Sequence, residues 1–598
     1  MTVNPRVELD TIRVSDIYLR EAPAPGFFDL QFGLSWGGSW RFDPTRRGGN
    51  WDAAWVFVKF QRRPVVKASP ELDEALSGGD PLQVTSRLRE QGLDFDQPLR
   101  ATPIEEGWLV RSSILQKPQQ PGVQTESQDI TIKVLRCTDE TATDETTTDA
   151  TRITRRSFDW TQAMIEQVVN CPKGAVVVPG DGRLGVFVHR NSKNLGLGPV
   201  KFKDIDLRLH LTDGSTPQVE DLSVAVFALN MVYIPEGPFW AGDYRGQVDQ
   251  AFFDSCSLND PEGTWAYQVD SEAQIEVGDA DGDCPEGEKL LYYRSNPPLR
   301  AGGDQCGPIP EAFPKGFQAF YVMKSHVTQG EYADFVNYLP TTAKTQRYPY
   351  EEGAYRYTIA RDRSMRRIAR RPLRACNFLA WADGIAFAAW ACLRPLSELE
   401  FEKACRGPLL PVTREYAWGN TELVPAQIIV GPGTTEVAVS GNCNVDNTFI
   451  LFNGGDGASG PVRDNSLIIS GSPDVETQVP IEEGFDLRTA TGASYYGVLG
   501  MSGNLWEQCV TVGNPQGRAF TGKNGTGQLS LAGSAPAREL SWPNDIGIGA
   551  GFRGGTWFTD SLKARLADRT YAAGLRGYFF RSLDTGFRCA TTAPADDE

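Results

Sequence analysis

Reactions at neutral pH commonly rest on histidine, cysteine or paired carboxylates, and this chain is sparing with the first and scatters the second. Its 598 residues hold three histidines, His189, His210 and His326, each isolated from the others. An iron site that needs imidazole and carboxylate together has no evident ligand set here. Eleven cysteines are scattered without a CxxC pair. Cys392 and Cys405 sit among apolar or helical residues, as buried thiols do. Cys256, Cys284 and Cys306 lie in a loop-rich stretch and would pair only in an oxidising compartment. Cys509 and Cys589 have no histidine nearby in sequence to activate a thiolate. Asp279, Asp281 and Asp283 alternate as in calcium loops, but Cys284 stands where an EF-hand needs glycine, so the stretch reads as an exposed acidic loop.

The segment from Trp557 to Gly586 has a different composition. Phe558, Tyr571, Tyr578, Phe579 and Phe580 are interleaved with Asp560, Arg569, Arg576 and Arg581. Aromatic and arginine side chains bury large areas with few rotamers to freeze, which is why they dominate binding hot spots. Phe558, Asp560, Tyr571, Arg576, Tyr578, Phe579 and Phe580 are therefore the candidate ligand- or partner-binding residues, with Trp557 and Phe587 as core. The competing reading packs Tyr578–Phe580 under a loop.

The elements that must position this segment fall into two parts. Residues 1–225 read as a β-sandwich. Phe28, Leu30, Phe32, Leu34 and Trp36 alternate with polar or small residues, giving one apolar strand face. Trp55–Phe60 is a second strand, and Val176–Val178 and Val186–Val188 flank a Pro-Gly-Asp-Gly turn as a hairpin. Ile205, Leu207, Leu209 and Leu211 alternate again, Val224–Leu229 adds a strand, and Phe158–Val169 is helix-like. Residues 138–151, acidic and rich in threonine, lack core-forming side chains and read as a solvated loop.

In residues 226–598, Tyr332, Phe335, Val336 and Leu339 form one helix face, and Thr328 with Glu331 forms its capping box. A second helix is expected from Cys376 to about Ala391. A third starts at Ser397 with Glu400 three residues on and stops at Gly407-Pro408. Beyond Pro408 glycine, asparagine, proline and serine dominate. The expected class is α+β: an N-terminal β-sandwich followed by a domain with few helices and long loops.

Five motifs in this second part occur in a telling order. They are Met231–Gly237 (MVYIPEG), Arg394–Glu402 leading into Ala404–Gly407, Gly503–Glu507 (GNLWE), Arg553–Trp557 (RGGTW) and Gly586–Arg588. Over residues 230–592 this pattern resembles the formylglycine-generating enzyme family, the sulfatase-modifying-factor domain related to C-type lectins. The resemblance implies a C-type-lectin-like fold and makes Arg553, Arg569 and Arg588 framework residues.

The family's copper-dependent oxidases carry two cysteines shortly after the Gly-Gly-Ser-aromatic turn. The nearest positions here are Thr559 and Ala564, so neither copper nor iron is expected. The resemblance also implies a calcium ion at the Gly503–Glu507 turn. Gly500, Gly503 and Leu505 would supply backbone oxygens and Glu507 a carboxylate, although Gly500 stands where relatives have Asp or Asn. The alternative role for Glu507 is to accept hydrogen bonds from the loop. A second family calcium site has Asn442, Asn444, Asp446 and Asn447 as its nearest candidates.

Some relatives are variable ligand-binding proteins with a diversified final loop. The expected function is accordingly a non-catalytic ligand-binding or assembly protein with a C-type-lectin-like surface. The alternatives are a metal-dependent oxidase or hydroxylase of the superfamily, or a structural subunit of a filament or larger complex.

A net charge of −17 repels polyanions, which argues against nucleic acid. The basic run 361–374 reads as a solvated face or a set of carboxylate partners. No stretch suits a transmembrane helix, and the N-terminus shows no signal peptide. The compartment is left open. The expected partner is a protein or glycan ligand, or a second copy of the chain.

Overall fold

The computed structural model describes residues 12–595 except 44, 46–47, 63–64, 68–69, 79–82, 85, 88–98, 105–106, 113–130, 136–159, 194–197, 213, 245–250, 255–264, 279–289, 294–302, 305–306, 350, 363–365, 427, 431–436, 447–450, 453–458, 465–486 and 574–580. The acidic segment 138–151, the Asp279–Asp283 run, Cys256, Cys284, Cys306, Asn447 and the stretch Arg576–Phe580 fall outside the described residues.

One antiparallel sheet of eleven strands organises the molecule. Its main path runs Arg13–Glu21, Phe28–Ser39, Gly198–Leu211, Thr161–Asn170, Asp52–Arg62, Leu222–Ile234, Phe320–Met323, Cys589–Thr592 and Arg394–Pro395. The hairpin of Ala175–Pro179 and Gly185–Arg190 joins it along Asp52–Arg62.

The alternating residues Phe28, Leu30, Phe32, Leu34 and Trp36 are all buried. They face Val56, Val58, Val186, Val188 and Val226 across a shared core, so two layers of the sheet lie against each other as a sandwich. Strand Thr161–Asn170 closes one side. Thr161 pairs with Phe60, and Ala163–Asn170 pair with Gly198–Leu211. The helix-like reading of this segment was therefore wrong. Buried Ala163 and Ile165 serve as sandwich core, and pairing on both edges overrides the local helical pattern.

Strands Asp52–Arg62 and Leu222–Ile234 are buried on both faces over most of their length, which explains their largely apolar sequence. Ala54, Val56, Val58 and Val226 point into the sandwich core. Ala53, Trp55, Phe57, Phe227, Leu229 and Met231 point into the main core, together with the helices Gln329–Asn337 and Trp381–Trp390. Trp55 Nε1 donates to the Ala391 carbonyl (2.8 Å), and Phe57 meets Trp390 edge to face at 5.1 Å. Residue 225 lies inside the strand Leu222–Ile234, which pairs with Asp52–Arg62 on one edge and Phe320–Met323 on the other.

The helix Gln329–Asn337 begins at the Thr328–Glu331 capping box, and Glu398–Arg406 begins at the Ser397–Glu400 box. Gly407, at φ 69°, ends the latter. The middle helix is shorter than its apolar run. Cys376, Phe378 and Leu379 donate their backbone N–H groups to Val327, Ser582 and Thr585, so the chain becomes helical only at Trp381. On that helix Gly384 is needed for space, since a Cβ there would lie 2.1 Å from the Phe587 ring.

Candidate functional site

The Gly500–Glu507 turn is held by its surroundings rather than by its own sequence. Gly503 N–H donates to Gly554 O (2.7 Å), Trp557 N–H to Asn504 O (3.0 Å) and Trp506 N–H to Asp584 O (2.9 Å). Asn504, at φ 68°, satisfies its buried amide fully. Its Oδ1 accepts from Val462 N and Asn444 Nδ2, while its Nδ2 donates to Val462 O and Asp464 Oδ1. Gly500 (φ 71°) lies against Asp464, where a Cβ would come within 2.4 Å of Oδ1. Asp464, distant in sequence, thus supplies a carboxylate at the position where residue 500 has no side chain.

His326 sits in the middle of this arrangement. Its Nδ1 is 2.9 Å from Asp464 Oδ2; its Nε2 is 3.0 Å from Glu507 Oε1 and 3.1 Å from Leu505 O. Arg588 Nε donates to the same Glu507 oxygen at 2.7 Å. Burial works against a charged imidazole, but Asp464 and Glu507 outweigh it and raise the His326 pKa. Burial likewise opposes the Asp464 carboxylate, yet His326 and Arg588 hold its pKa below the ordinary value.

A calcium ion takes six to eight oxygens. Here Glu507 Oε1 and the Leu505 carbonyl face the His326 ring, and Gly503 contributes to the turn through its N–H. The donor set does not fit the ion. Asn442 is also engaged, accepting from Val424 N and donating to Glu422 O and Thr489 O. Asn444 donates to Gly460 O and Asn504 Oδ1, and Asp446 is exposed with its N–H on Thr559 O.

A second buried network surrounds the helix Glu398–Arg406. Glu398 Oε2 accepts from Arg569 Nε (2.8 Å) and Arg553 Nη1 (3.1 Å), and its Oε1 accepts from Thr511 Oγ1 and Val512 N. Glu402 takes Arg553 Nη2 at 2.6 Å, Glu400 pairs with Arg394, and Arg406 pairs with Glu415. All are at most 3% exposed. Against burial, Arg569 and Arg553 pull the Glu398 pKa down. Arg553, Arg569 and Arg588 are thus buried and paired with carboxylates. In the basic run, Arg367 and Arg374 are buried, while Arg370 pairs with Glu352 at the surface.

The aromatic segment divides at Trp557. Trp557 is buried against Ala375 and Leu505. Phe558 and Leu562 are 58% and 50% exposed. Asp560 is exposed and accepts from Leu562 N at 2.9 Å. Tyr571 is half-buried and meets Trp506 edge to face at 5.5 Å, so it supports the core from the side. Arg581 pairs with buried Asp383.

A residue not singled out from sequence joins the exposed group. Tyr355 is 46% exposed and its ring lies 5.8 Å from Trp557. Its backbone is left-handed at φ 43°, as is that of Arg356 at φ 67°, and nothing in the local sequence signals this. Strain of that kind, held by surrounding structure, recurs at binding sites. Here Asn377 Nδ2 holds it by donating to both Tyr355 O and Leu583 O. Cys509 and Cys589 are buried, which pushes both thiols well above their ordinary pKa.

Residues 310–593 match the model of the sulfatase-modifying factor enzyme 1-like domain, and the chain carries a domain of that family. Among solved structures, Treponema denticola variable protein 1 is similar at 14% identity, covering 55% of this chain and 97% of that one, with a TM-score of 0.24. No curated protein matches the chain. Among the described residues no helix is long and apolar enough to cross a membrane.

Proposed function

We propose that this chain is a non-catalytic binding or assembly protein that presents its 556–582 segment as a recognition surface. The observation that carries this reading is the exposure of Phe558 and Leu562 on a backbone locked beneath them. Thr556 Oγ1 accepts from Phe558 N and Thr559 N, and Asp560 Oδ1 accepts from Leu562 N. Large apolar side chains on a fixed frame, with the exposed Tyr355 on the buried Trp557 that adjoins Phe558, suit an interaction site.

The buried state of Cys509 and Cys589 supports the non-catalytic reading, because a thiol with a raised pKa is a poor nucleophile and a poor metal ligand. Thr559 and Ala564, at the places nearest the family's copper-binding cysteines, have no thiol to offer.

The test has two arms. Phe558→Ser with Leu562→Ser should abolish self-association in sedimentation velocity, or binding on glycan and peptide arrays, at an unchanged thermal midpoint. Each anchor should contribute about 2 kcal/mol. Unchanged binding by the double variant removes this surface from consideration. Stoichiometric copper or iron in the purified protein, measured by elemental analysis, would overturn the non-catalytic reading in favour of an oxidase or hydroxylase.

A further inference from the structure

We infer that His326 is the internal cation of the Gly500–Glu507 turn, its doubly protonated ring set between Asp464, Leu505 and Glu507 in a site whose donors do not fit the calcium ion that the resemblance implies. The inference does not depend on the binding function proposed above. It starts from donors and acceptors. Nδ1 faces a carboxylate oxygen of Asp464, and Nε2 faces both Glu507 Oε1 and the Leu505 carbonyl. None of these oxygens carries a hydrogen in its ordinary form. A neutral imidazole has one N–H, so both contacts are hydrogen bonds only if each nitrogen holds a proton. Arg588 Nε donates to the same Glu507 oxygen from the other side.

Charge balance points the same way. Asp464 and Glu507 carry two negative charges, and His326 and Arg588 carry two positive charges. All four side chains are at most 1% exposed. A divalent ion added here would enter a neutral, buried cluster and leave it with an uncompensated double charge, which is a large cost in low dielectric. Glu507 Oε2 is buried without a partner. One free oxygen falls far short of the shell that calcium requires.

The ring also joins separate parts of the chain. Its own backbone N–H donates to Asp464 Oδ2 at 2.7 Å. Residue 326 precedes the helix Gln329–Asn337, Asp464 follows a loop, and Glu507 opens the strand Glu507–Val510. Losing the cation would release all three together.

The experiment uses the full chain with its three histidines labelled with nitrogen-15. Near neutral pH one ring should show two protonated nitrogens, and its signals should disappear in His326→Gln. Equilibrium dialysis with calcium should find none bound at this turn, and the wild-type thermal midpoint should be the same with calcium or with chelator. His326→Ala should unfold earlier, and added imidazole should restore its midpoint while leaving the wild type unchanged. Should either histidine variant fail to fold, the wild-type spectrum and dialysis still decide. The inference is overturned if no ring carries two protons. It is also overturned if calcium raises the wild-type midpoint or displaces the doubly protonated signal, or if imidazole fails to rescue a folded His326→Ala.

Discussion

Lys59 is fully buried, donating to Gly527 O at 3.0 Å, with Phe57 and Trp390 about its ammonium at 5.7 and 5.5 Å. Burial lowers its pKa from 10.5 to about 8. Below that value both folded and unfolded chains hold the proton, and the fold carries the full cost of an enclosed charge. Between about 8 and 10.5 the folded chain releases its proton first. The unfolded chain then binds more protons, so this residue makes stability rise with pH. Lys59→Met should gain about 2 kcal/mol near neutral pH, the relieved cost less one lost hydrogen bond. Urea unfolding at neutral and alkaline pH checks this, and the variant should also lose the alkaline rise. Glu398 is the opposite case. Glu398→Gln leaves Arg553 and Arg569 enclosed with less counter-charge and should cost about 3–5 kcal/mol in the same assay.

At the scale of elements, the strand Leu222–Ile234 is the joint of the molecule. It pairs along its length with Asp52–Arg62, and its last four residues pair with Phe320–Met323. A fragment starting at residue 226 would lose Trp55, Phe57 and Phe187 from the main core and leave the Trp390 face open. Large apolar areas exposed in this way drive aggregation. Residues 226–598 expressed alone should therefore be insoluble, or show weak near-ultraviolet circular dichroism and no cooperative melt. A sharp, cooperative transition would show that the second part needs nothing from the first.

At the scale of the whole molecule, the thiols of the described residues are sorted by burial. Of the seven described cysteines only Cys171 is exposed; Cys376, Cys392, Cys405, Cys443, Cys509 and Cys589 are buried. Burial also pushes up the pKa of each of these six. Maleimide labelling followed by peptide mapping should mark Cys171 quickly and the six buried thiols only in denaturant. Rapid labelling of Cys509 or Cys589 in the native protein would show a reactive thiol next to Glu507 or Arg588 in sequence and would revive the enzymatic alternative.

The sequence by itself determined what depends on local pattern. Alternation located the strands at Phe28–Trp36 and Ile205–Leu211, and the two capping boxes located helix starts at Thr328 and Ser397, because backbone donors at a helix end need a nearby acceptor. The ordered motifs identified the domain. Only the tertiary structure decided the partners of those motifs. Asp464 reaches the turn from far along the chain, His326 stands between two carboxylates, and Glu398 meets Arg553 and Arg569 more than 150 residues away. Tyr355 joined the exposed aromatic group for the same reason: its strained backbone is held by Asn377, a contact that no local pattern records. Spacing along a chain reports which side chains share a face, whereas charge pairing and burial depend on which distant segments the fold brings together.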